Sequence, residues 1–322
     1  MNMHIKTKEV MKSVNQIRFV ALVAAAAILF GGCEKESDNT VDNAPVAARI
    51  TSTIDDMATR AAGTAWAAGD AIGVSGRTRT GMVEYTHVKY VTTAGDGKFT
   101  VVNDAGQDNN IYFQDKDNAT FTAYYPFDGK TGMTPGANGI ISKSITDAEQ
   151  TADGQAKFDY LFATATASSA NPDVKFQFKH CMSRIILNFL PGNGIASLGN
   201  LTYTINALAL EGTFNTRTGV TAGTATGNLT LSVSYNAAAM SSTLIVFPQQ
   251  ADGAAISITM NGVDYTGTID YPENADNGST RELRAGYSYT YNVKVNNGSL
   301  GIELADINEW GDGGNTDINT SN

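Results

Sequence analysis

The sequence predicts an all-β protein made of two β-sandwich domains in series, and three observations support this fold class. Apolar and polar residues alternate over many short segments, which is the pattern of half-buried strands. Glycine accounts for 32 of the 322 residues and only 17% of residues are charged, a composition that favours short strands joined by turns. After Cys33, no segment keeps a helical apolar period for more than about ten residues.

The N-terminal segment resembles a bacterial lipoprotein signal and is set aside from the fold. Basic residues precede an apolar run at 19–30, which covers about 18 Å as a helix and is too short for a bilayer core of about 30 Å. Two glycines directly precede Cys33. We therefore expect residues 1–32 to be removed as a signal peptide and the Cys33 thiol to carry a lipid. The alternative is an ordinary secretory signal followed by a chance cysteine.

The remaining chain divides by polarity into three parts. Residues 33–48 are polar and lack apolar periodicity, so we expect a flexible tether. Residues 49–168 are expected to form the N-terminal β-sandwich, whose first strand is removable. A small, polar stretch with one proline, at 164–173, predicts the domain boundary. Residues 169–322 are then expected to form the C-terminal β-sandwich, which contains a candidate donor strand.

The candidate strands are short and are separated by clusters of glycine, asparagine and aspartate. Those of the first domain lie at 72–74, 85–91, 99–102, 111–113 and 120–127. Those of the second domain lie at 174–178, 185–189, 201–210, 229–235, 244–247, 256–260, 263–271, 287–295 and 300–304. The clearest is 287–295, in which apolar or aromatic residues alternate strictly with polar ones, so that one face is buried and the other is wet.

Composition and motifs argue against several classes of function. The net charge is −10, which repels phosphate backbones, so we expect no nucleic-acid partner. The chain has two cysteines, too few for a disulfide framework. Only His87 and His180 lie beyond the leader, and no nucleotide, zinc or nucleophile-elbow motif is present. Acidic groups around Asp115 and Glu273 lack calcium-loop spacing. We therefore expect no enzyme activity, no cofactor and no metal site.

Four residues that chemistry could use are interpreted first as packing residues. Cys181 lies in an apolar segment and is expected to be buried. His180 shares the apolar face of its candidate strand and is expected to be a hydrogen-bonded core residue. Trp66 is expected to pack in the core. For Trp310 the sequence leaves two possibilities open, packing in its own domain or packing in a neighbouring molecule.

Four pairs of segments, in chain order, carry a family resemblance. They are 59–61 with 66–74, 123–127 with 159–163, 178–180 with 183–185, and 286–293 with 307–310. These segments follow the lipoprotein signal in the order seen in fimbrillins, and the chain therefore resembles the fimbrillin family. Fimbrillins are the lipoprotein subunits of type V pili in Bacteroidales. The segments span nearly the whole mature chain.

The resemblance implies two transthyretin-like β-sandwiches and assembly by donor-strand exchange, a form of β-augmentation. It implies a precursor that is lipid-anchored in the outer membrane and displayed at the cell surface. A trypsin-like, arginine-specific protease then cuts the precursor and releases the first strand. The C-terminal strand of another fimbrial subunit, in a homo- or hetero-polymer, fills the groove. Adhesion to a host or bacterial surface ligand is a further implication.

The residues of this chain fit that scheme. Arg60 follows a candidate strand at 50–57 and precedes small residues, so we predict processing between Arg60 and Ala61. Arg49 is a competing site, but cleavage there would leave the candidate strand attached. The predicted donor strand presents Leu300, Ile302, Leu304, Ile307 and Trp310.

The sequence therefore predicts a structural or adhesive subunit of a surface fimbria. A stalk, an anchor and a tip subunit all remain open, although a removable first strand together with a donor strand favours a stalk. The alternative is a monomeric surface lipoprotein that binds glycan or another ligand. A hydrolase on a β-sandwich would need a carboxylate pair, and nothing in the sequence selects one.

Overall fold

The computed structural model describes residues 45–54, 65–79, 83–237 and 240–310, and these are mostly β-strand, which confirms the all-β prediction. In these ranges, helical structure is confined to short turns, namely α1 (Ala152–Gln155) and two 3₁₀ turns at Asp147–Glu149 and Ala275–Asn277. Within the described ranges, none of the helical turns has the length and apolar character needed to cross a bilayer.

Ten strands precede residue 181 in the described chain. They are β1 (Val46–Ala47), β2 (Arg49–Ile54), β3 (Ala71–Arg79), β4 (Val83–Val91), β5 (Lys98–Val101), β6 (Tyr112–Phe113), β7 (Ala119–Tyr125), β8 (Ile140–Ser144), β9 (Leu161–Ala167) and β10 (Asp173–His180).

Eleven strands follow in the described C-terminal part. They are β11 (Ser183–Pro191), β12 (Leu201–Asn215), β13 (Thr221–Val233), β14 (Met240–Val246), β15 (Gln249–Gln250), β16 (Gly253–Met260), β17 (Val263–Asp270), β18 (Glu273–Asn274), β19 (Thr280–Leu283), β20 (Tyr287–Asn296) and β21 (Ser299–Glu309).

Seven strands close into a barrel in the order β10-β2-β5-β4-β3-β7-β9. Strand β2 has a neighbour on each side, since it runs parallel to β10 and antiparallel to β5. The sequence predicts a sandwich in this region. The difference has a local cause, because β2 bridges β5 and β10, which would otherwise be the two edges of one open sheet.

Strand β9 lies where the sequence predicts a break between domains. It covers Leu161–Ala167, so the first part of the small, polar stretch is strand. Ala165 lies directly opposite Phe121 on β7, and Phe121 is fully buried. Small residues are therefore compatible with a strand here, although they carry little apolar signal.

Strand β10 follows the predicted boundary at residue 168, and the structure places it in the barrel. Val174, Phe176 and Phe178 on this strand belong to the core inside the barrel. The chain passes into the second core directly after His180, because Met182 and Ile185 belong to that core.

The second core lies between two sheets. One has the order β14-β11-β20-β21, and the other has the order β13-β12-β16-β17, with β8 paired to β12. Tyr289, Tyr291, Val293 and Val295 on β20 are each at most 1% exposed, which confirms the strand predicted there. A small sheet in the order β15-β19-β18 and the β1-β6 pair lie outside this arrangement.

Candidate functional site: a closing strand and a C-terminal edge strand

The predicted lipidation and processing residues, Cys33, Arg60 and Ala61, lie outside the described residues. The described residues end at Ile54, the last residue of β2, and begin again at Ala65. The site can therefore be built from its two strands, β2 and β21, and from the residues that surround them.

Strand β2 is held unequally on its two sides. It pairs with β10 along its whole length, from Arg49↔Asp173 to Ile54↔Phe178. On the β5 side the pairing covers only Ile50↔Phe99 and Thr51↔Lys98. The Ser52 N–H adds one bond to the Gly97 carbonyl at 2.7 Å. The barrel is thus closed by a short seam between β2 and β5.

Alternate side chains of β2 point into the barrel. Ile50, Ser52 and Ile54 are 3%, 7% and 5% exposed, and the preceding Ala48 is also buried. Burying a large aliphatic side chain stabilises a fold by about 1.5–3 kcal/mol. The two isoleucines therefore supply most of the apolar contact by which β2 holds its place.

An aromatic cluster covers the C-terminal end of β2. The indole of Trp66 makes edge contacts with Phe99, Tyr125 and Phe178, at centroid distances of 5.1, 5.4 and 5.3 Å. Trp66 is 9% exposed, so the prediction of a core residue is confirmed. A cavity of about 180 Å³ lies here, and its lining includes Ile54 and Trp66.

Strand β21 lies at the edge of its sheet and, among the strands that the structure describes, pairs only with β20. Its register with β20 shifts by one residue, because Leu304 pairs with Tyr291 whereas Asp306 pairs with Thr290. Ala305 is the extra residue of this β-bulge. The bulge explains why the predicted donor residues follow a period of two as far as Leu304 and then skip to Ile307.

The apolar row of β21 faces the second core but is only half-buried. Leu300, Ile302, Leu304 and Ile307 all have intermediate exposure and pack against that core. Across the sandwich, β17 approaches β21 at Gly267, where a Cβ atom would lie 2.8 Å from Ile302 Cδ1. The structure thus brings the predicted donor residues together on one edge strand.

Trp310 fixes the end of β21 on the barrel. Its indole stacks on the His180 imidazole with centroids 3.9 Å apart and planes 2° apart. The guanidinium carbon of Arg184 lies 4.7 Å from the indole centre, and the backbone N–H of Trp310 donates to the Gly286 carbonyl at 2.6 Å. Trp310 is 3% exposed. Of the two possibilities left open by the sequence, this structure shows packing within the same chain.

Buried charge surrounds this stack. His180 Nδ1 lies 2.9 Å from Asp159 Oδ1, which confirms the prediction of a hydrogen-bonded core histidine. Arg184 Nε donates to Ser288 Oγ at 2.9 Å. Burial lowers the pKa of the Arg184 guanidinium, and the Asp159 charge partly opposes that shift. The aromatic face compensates part of the lost hydration of the cation.

A second open feature lies between the barrel and the second core. It is a cleft of about 460 Å³ whose lining includes Tyr125, Phe127 and Tyr160 together with Asp70 and Lys157. Tyr125 donates a hydrogen bond to Asp70 Oδ1 at 3.1 Å. Aromatic faces beside carboxylate and ammonium groups can contact a sugar ring and its hydroxyls. Sequence reasoning missed this cleft, because its residues come from separate strands and turns.

Comparison with known proteins identifies the family. The fimbrillin-like family matches residues 59–310 of the chain. A curated relative from Bacteroides uniformis, Fim1C, named as a candidate fimbrium subunit, is 27% identical over 309 residues, which cover 91% of this chain and 96% of the relative.

Solved structures agree with this match. The crystal structure of a candidate cell adhesion protein from Bacteroides ovatus is 33% identical, covers 83% of this chain and 99% of its own, and has a TM-score of 0.71. Another such structure, from B. uniformis, has a TM-score of 0.63 at 20% identity and covers 86% of this chain and 100% of its own, so it supports the fold alone. The resemblance found in the sequence is confirmed, and this chain belongs to the fimbrillin-like family.

Proposed function

We propose that this chain is a structural or adhesive subunit of a surface fimbria, assembled by removal of β2 and insertion of a neighbouring subunit's β21. The observation that carries the proposal is the position of β2. This strand closes the barrel between β10 and β5, and it lies on the N-terminal side of the predicted cleavage after Arg60. The proposal assigns the chain no reaction of its own.

Cleavage after Arg60 would leave β2 attached to the barrel by non-covalent contacts alone. If β2 then departs, β5 and β10 become unpaired sheet edges, and the groove between them is lined by core side chains such as Phe99 and Phe176. An unpaired edge above an apolar groove is a template for an added strand. The opened barrel would therefore accept an extended apolar segment.

Strand β21 is suited to be that segment. It is an edge strand, so within the described chain its departure breaks backbone pairing with β20 alone. Its chain connection to the subunit runs through the β20–β21 hairpin at Asn296–Ser299, whereas Trp310 lies at the opposite end. When released, its 11 residues would extend roughly 36 Å at about 3.3 Å per residue, enough to reach into a second molecule.

The names of the relatives support the location and role. One is named as a candidate fimbrium subunit and another as a candidate cell adhesion protein. We propose that the precursor is anchored in the outer membrane through acylated Cys33 and that an arginine-specific protease of the trypsin type processes it at the surface. The processed chain, starting at Ala61, would then join other fimbrial subunits.

A cleavage-blocked variant tests this function. Arg60→Ala is expected to stay at full mature length and monomeric on the cells that make it, whereas wild-type protein forms polymers. Arg49→Ala is the matched control, because Arg49 is the competing site at the start of β2, and this variant should still be processed and polymerise. Polymers of Arg60→Ala, or a block in Arg49→Ala instead, would contradict the proposal.

A monomeric ligand-binding role is the second candidate, and the cleft beside Phe127 favours it. Phe127 is half-exposed there and stacks on His87 at a centroid distance of 4.5 Å. If this cleft binds glycan, a glycan array probed with monomeric Arg60→Ala protein should give signals that Phe127→Ala removes. Signals that Phe127→Ala leaves intact, or an array without signals, would rule out this cleft as a glycan site.

A further inference from the structure

We propose that Ser52 makes β2 a weak occupant of its own barrel, and that Ile302 of a second copy takes the Ser52 position when β21 enters the groove. The inference rests on the proposed strand exchange. It adds to that function the register of the incoming strand and a physical reason why exchange proceeds.

Ser52 is the polar exception among the inward residues of β2. It lies between the buried Ile50 and Ile54 and is itself 7% exposed. Its hydroxyl is buried and has no hydrogen-bond partner among the residues that the structure describes. A buried hydroxyl without a partner loses its hydration and gains no bond in exchange, so it weakens the packing of the strand.

The surroundings of Ser52 would suit an apolar side chain. Its register partner on β10 is Phe176, which points into the same core and is 2% exposed. On the other side, Gly97 approaches the Ser52 backbone so closely that a Cβ atom on this glycine would lie 2.2 Å from the Ser52 carbonyl oxygen. The backbone at this position is therefore tightly held, whereas the side chain is poorly matched to its neighbours.

Strand β21 carries aliphatic residues at the spacing that β2 uses. Leu300, Ile302 and Leu304 alternate in the same way as Ile50, Ser52 and Ile54. In their own sandwich these three side chains have only intermediate exposure. The three inward positions of β2 are at most 7% exposed. Transfer into the barrel would thus bury the same side chains more completely and remove the unpaired hydroxyl.

The pattern of β21 also favours one register. In a regularly extended strand, a shift of two residues in one direction would place Gly298 at an inward position and leave a void. The opposite shift would place Asp306 there and bury a carboxylate. A shift by one residue would turn the whole apolar row outward. The match of Ile302 to Ser52 is the register without any of these defects.

An isosteric pair of variants tests the role of Ser52. Ser52→Val and Ser52→Thr have the same shape, and only the second retains a hydroxyl. With wild-type full-length chain cleaved after Arg60, polymer growth followed by size-exclusion chromatography and electron microscopy gives the reference rate. We expect Ser52→Val to slow growth at least tenfold relative to Ser52→Thr, because its β2 is harder to displace. Before cleavage, Ser52→Val should also have the higher melting temperature.

The donor side gives a second, independent comparison. Ile302→Ser, tested against Ile302→Val, should slow polymer growth at least tenfold, because it returns a hydroxyl to the inward position. Equal rates within both pairs, with wild-type protein polymerising, would overturn the inference and leave the proposed function intact. If cleaved wild-type protein forms no polymer, the proposed function fails and the inference fails with it.

Discussion

The indole of Trp310 lies flat on the imidazole of His180, with ring centroids 3.9 Å apart. This contact joins the end of β21, the C-terminal strand, to β10, the last strand of the barrel. Asp159 Oδ1 lies 2.9 Å from His180 Nδ1, and this contact holds the imidazole in the orientation in which it stacks on the indole. The strand proposed as the donor is thus anchored at its C-terminal end by the subunit that would release it.

Removing that anchor should loosen β21. Trp310→Ala is expected to lower the free energy of unfolding by about 3–5 kcal/mol, as is typical when a buried tryptophan is truncated. Hydrogen exchange at the β21 amides should accelerate more than exchange in the barrel. Tyr235→Ala is the control, because Tyr235 is 51% exposed. Equal changes in the two variants would contradict the anchoring role.

One methyl group added at Gly97, in the seam between β2 and β5, should lower the stability of the fold. Gly97 has φ +76° and a Cβ atom there would lie 2.2 Å from the Ser52 carbonyl oxygen. Gly97→Ala should therefore displace β2 as well as strain the backbone. Gly106 has φ +75° with open space around it, so Gly106→Ala adds the strain without the clash.

Urea unfolding of both glycine variants provides the measurement. We expect Gly97→Ala to cost about 1–3 kcal/mol more than Gly106→Ala, the usual range for an overpacked contact. If the two variants are equally stable, β2 is not held by the close approach at Gly97.

Much of the fold could be predicted because a strand with one buried face has a local sequence pattern, the alternation of apolar and polar residues. The alternation in 287–295 predicts β20, and β20 spans Tyr287–Asn296. Strand β8 was missed because Ile140 and Ile141 are adjacent and break the alternation. Barrel closure could not be predicted either. It depends on the parallel pairing of Arg49 with Asp173, and no local sequence pattern encodes a partner so distant in the chain.

The candidate site was predictable only in part, for the same reason. The apolar residues of β21 were visible in sequence, but the bulge at Ala305 depends on the register with β20. His180 and Trp310 were each interpreted separately as packing residues. Their stacking was not predictable, because it depends on how the barrel meets the second core.

Acidification should destabilise the chain through His87. Burial lowers the pKa of the His87 imidazole, and the Asp128 backbone carbonyl partly opposes the shift. The unfolded chain binds a proton near pH 6.5, whereas the folded chain resists it. The contribution of neutral His87 to folding stability should therefore be fully present above about pH 6.5 and should decline as the pH falls below that value.

His87→Asn isolates this effect, because asparagine tolerates the φ of 53° at this position and does not titrate. Between pH 7 and pH 5, the melting temperature of wild-type protein should fall more than that of His87→Asn. Parallel curves for the two proteins would show that His87 does not contribute to the acid response.

The thiol of Cys181 should be inert in the folded chain. Cys181 is 7% exposed, and burial raises the pKa of its thiol to about 12, with a smaller contribution from the Asp159 charge. A processed chain starting at Ala61 contains no other cysteine. At pH 8, a thiol reagent should therefore label this form only after denaturation. Rapid labelling of folded protein would contradict the burial of Cys181.

Strand removal is tested most directly at the N-terminus of the protein in surface fimbriae, determined by intact mass and terminal peptide mapping. We expect a chain that starts at Ala61 and carries no lipid. A population in which every chain starts at acylated Cys33 and retains β2 would contradict it.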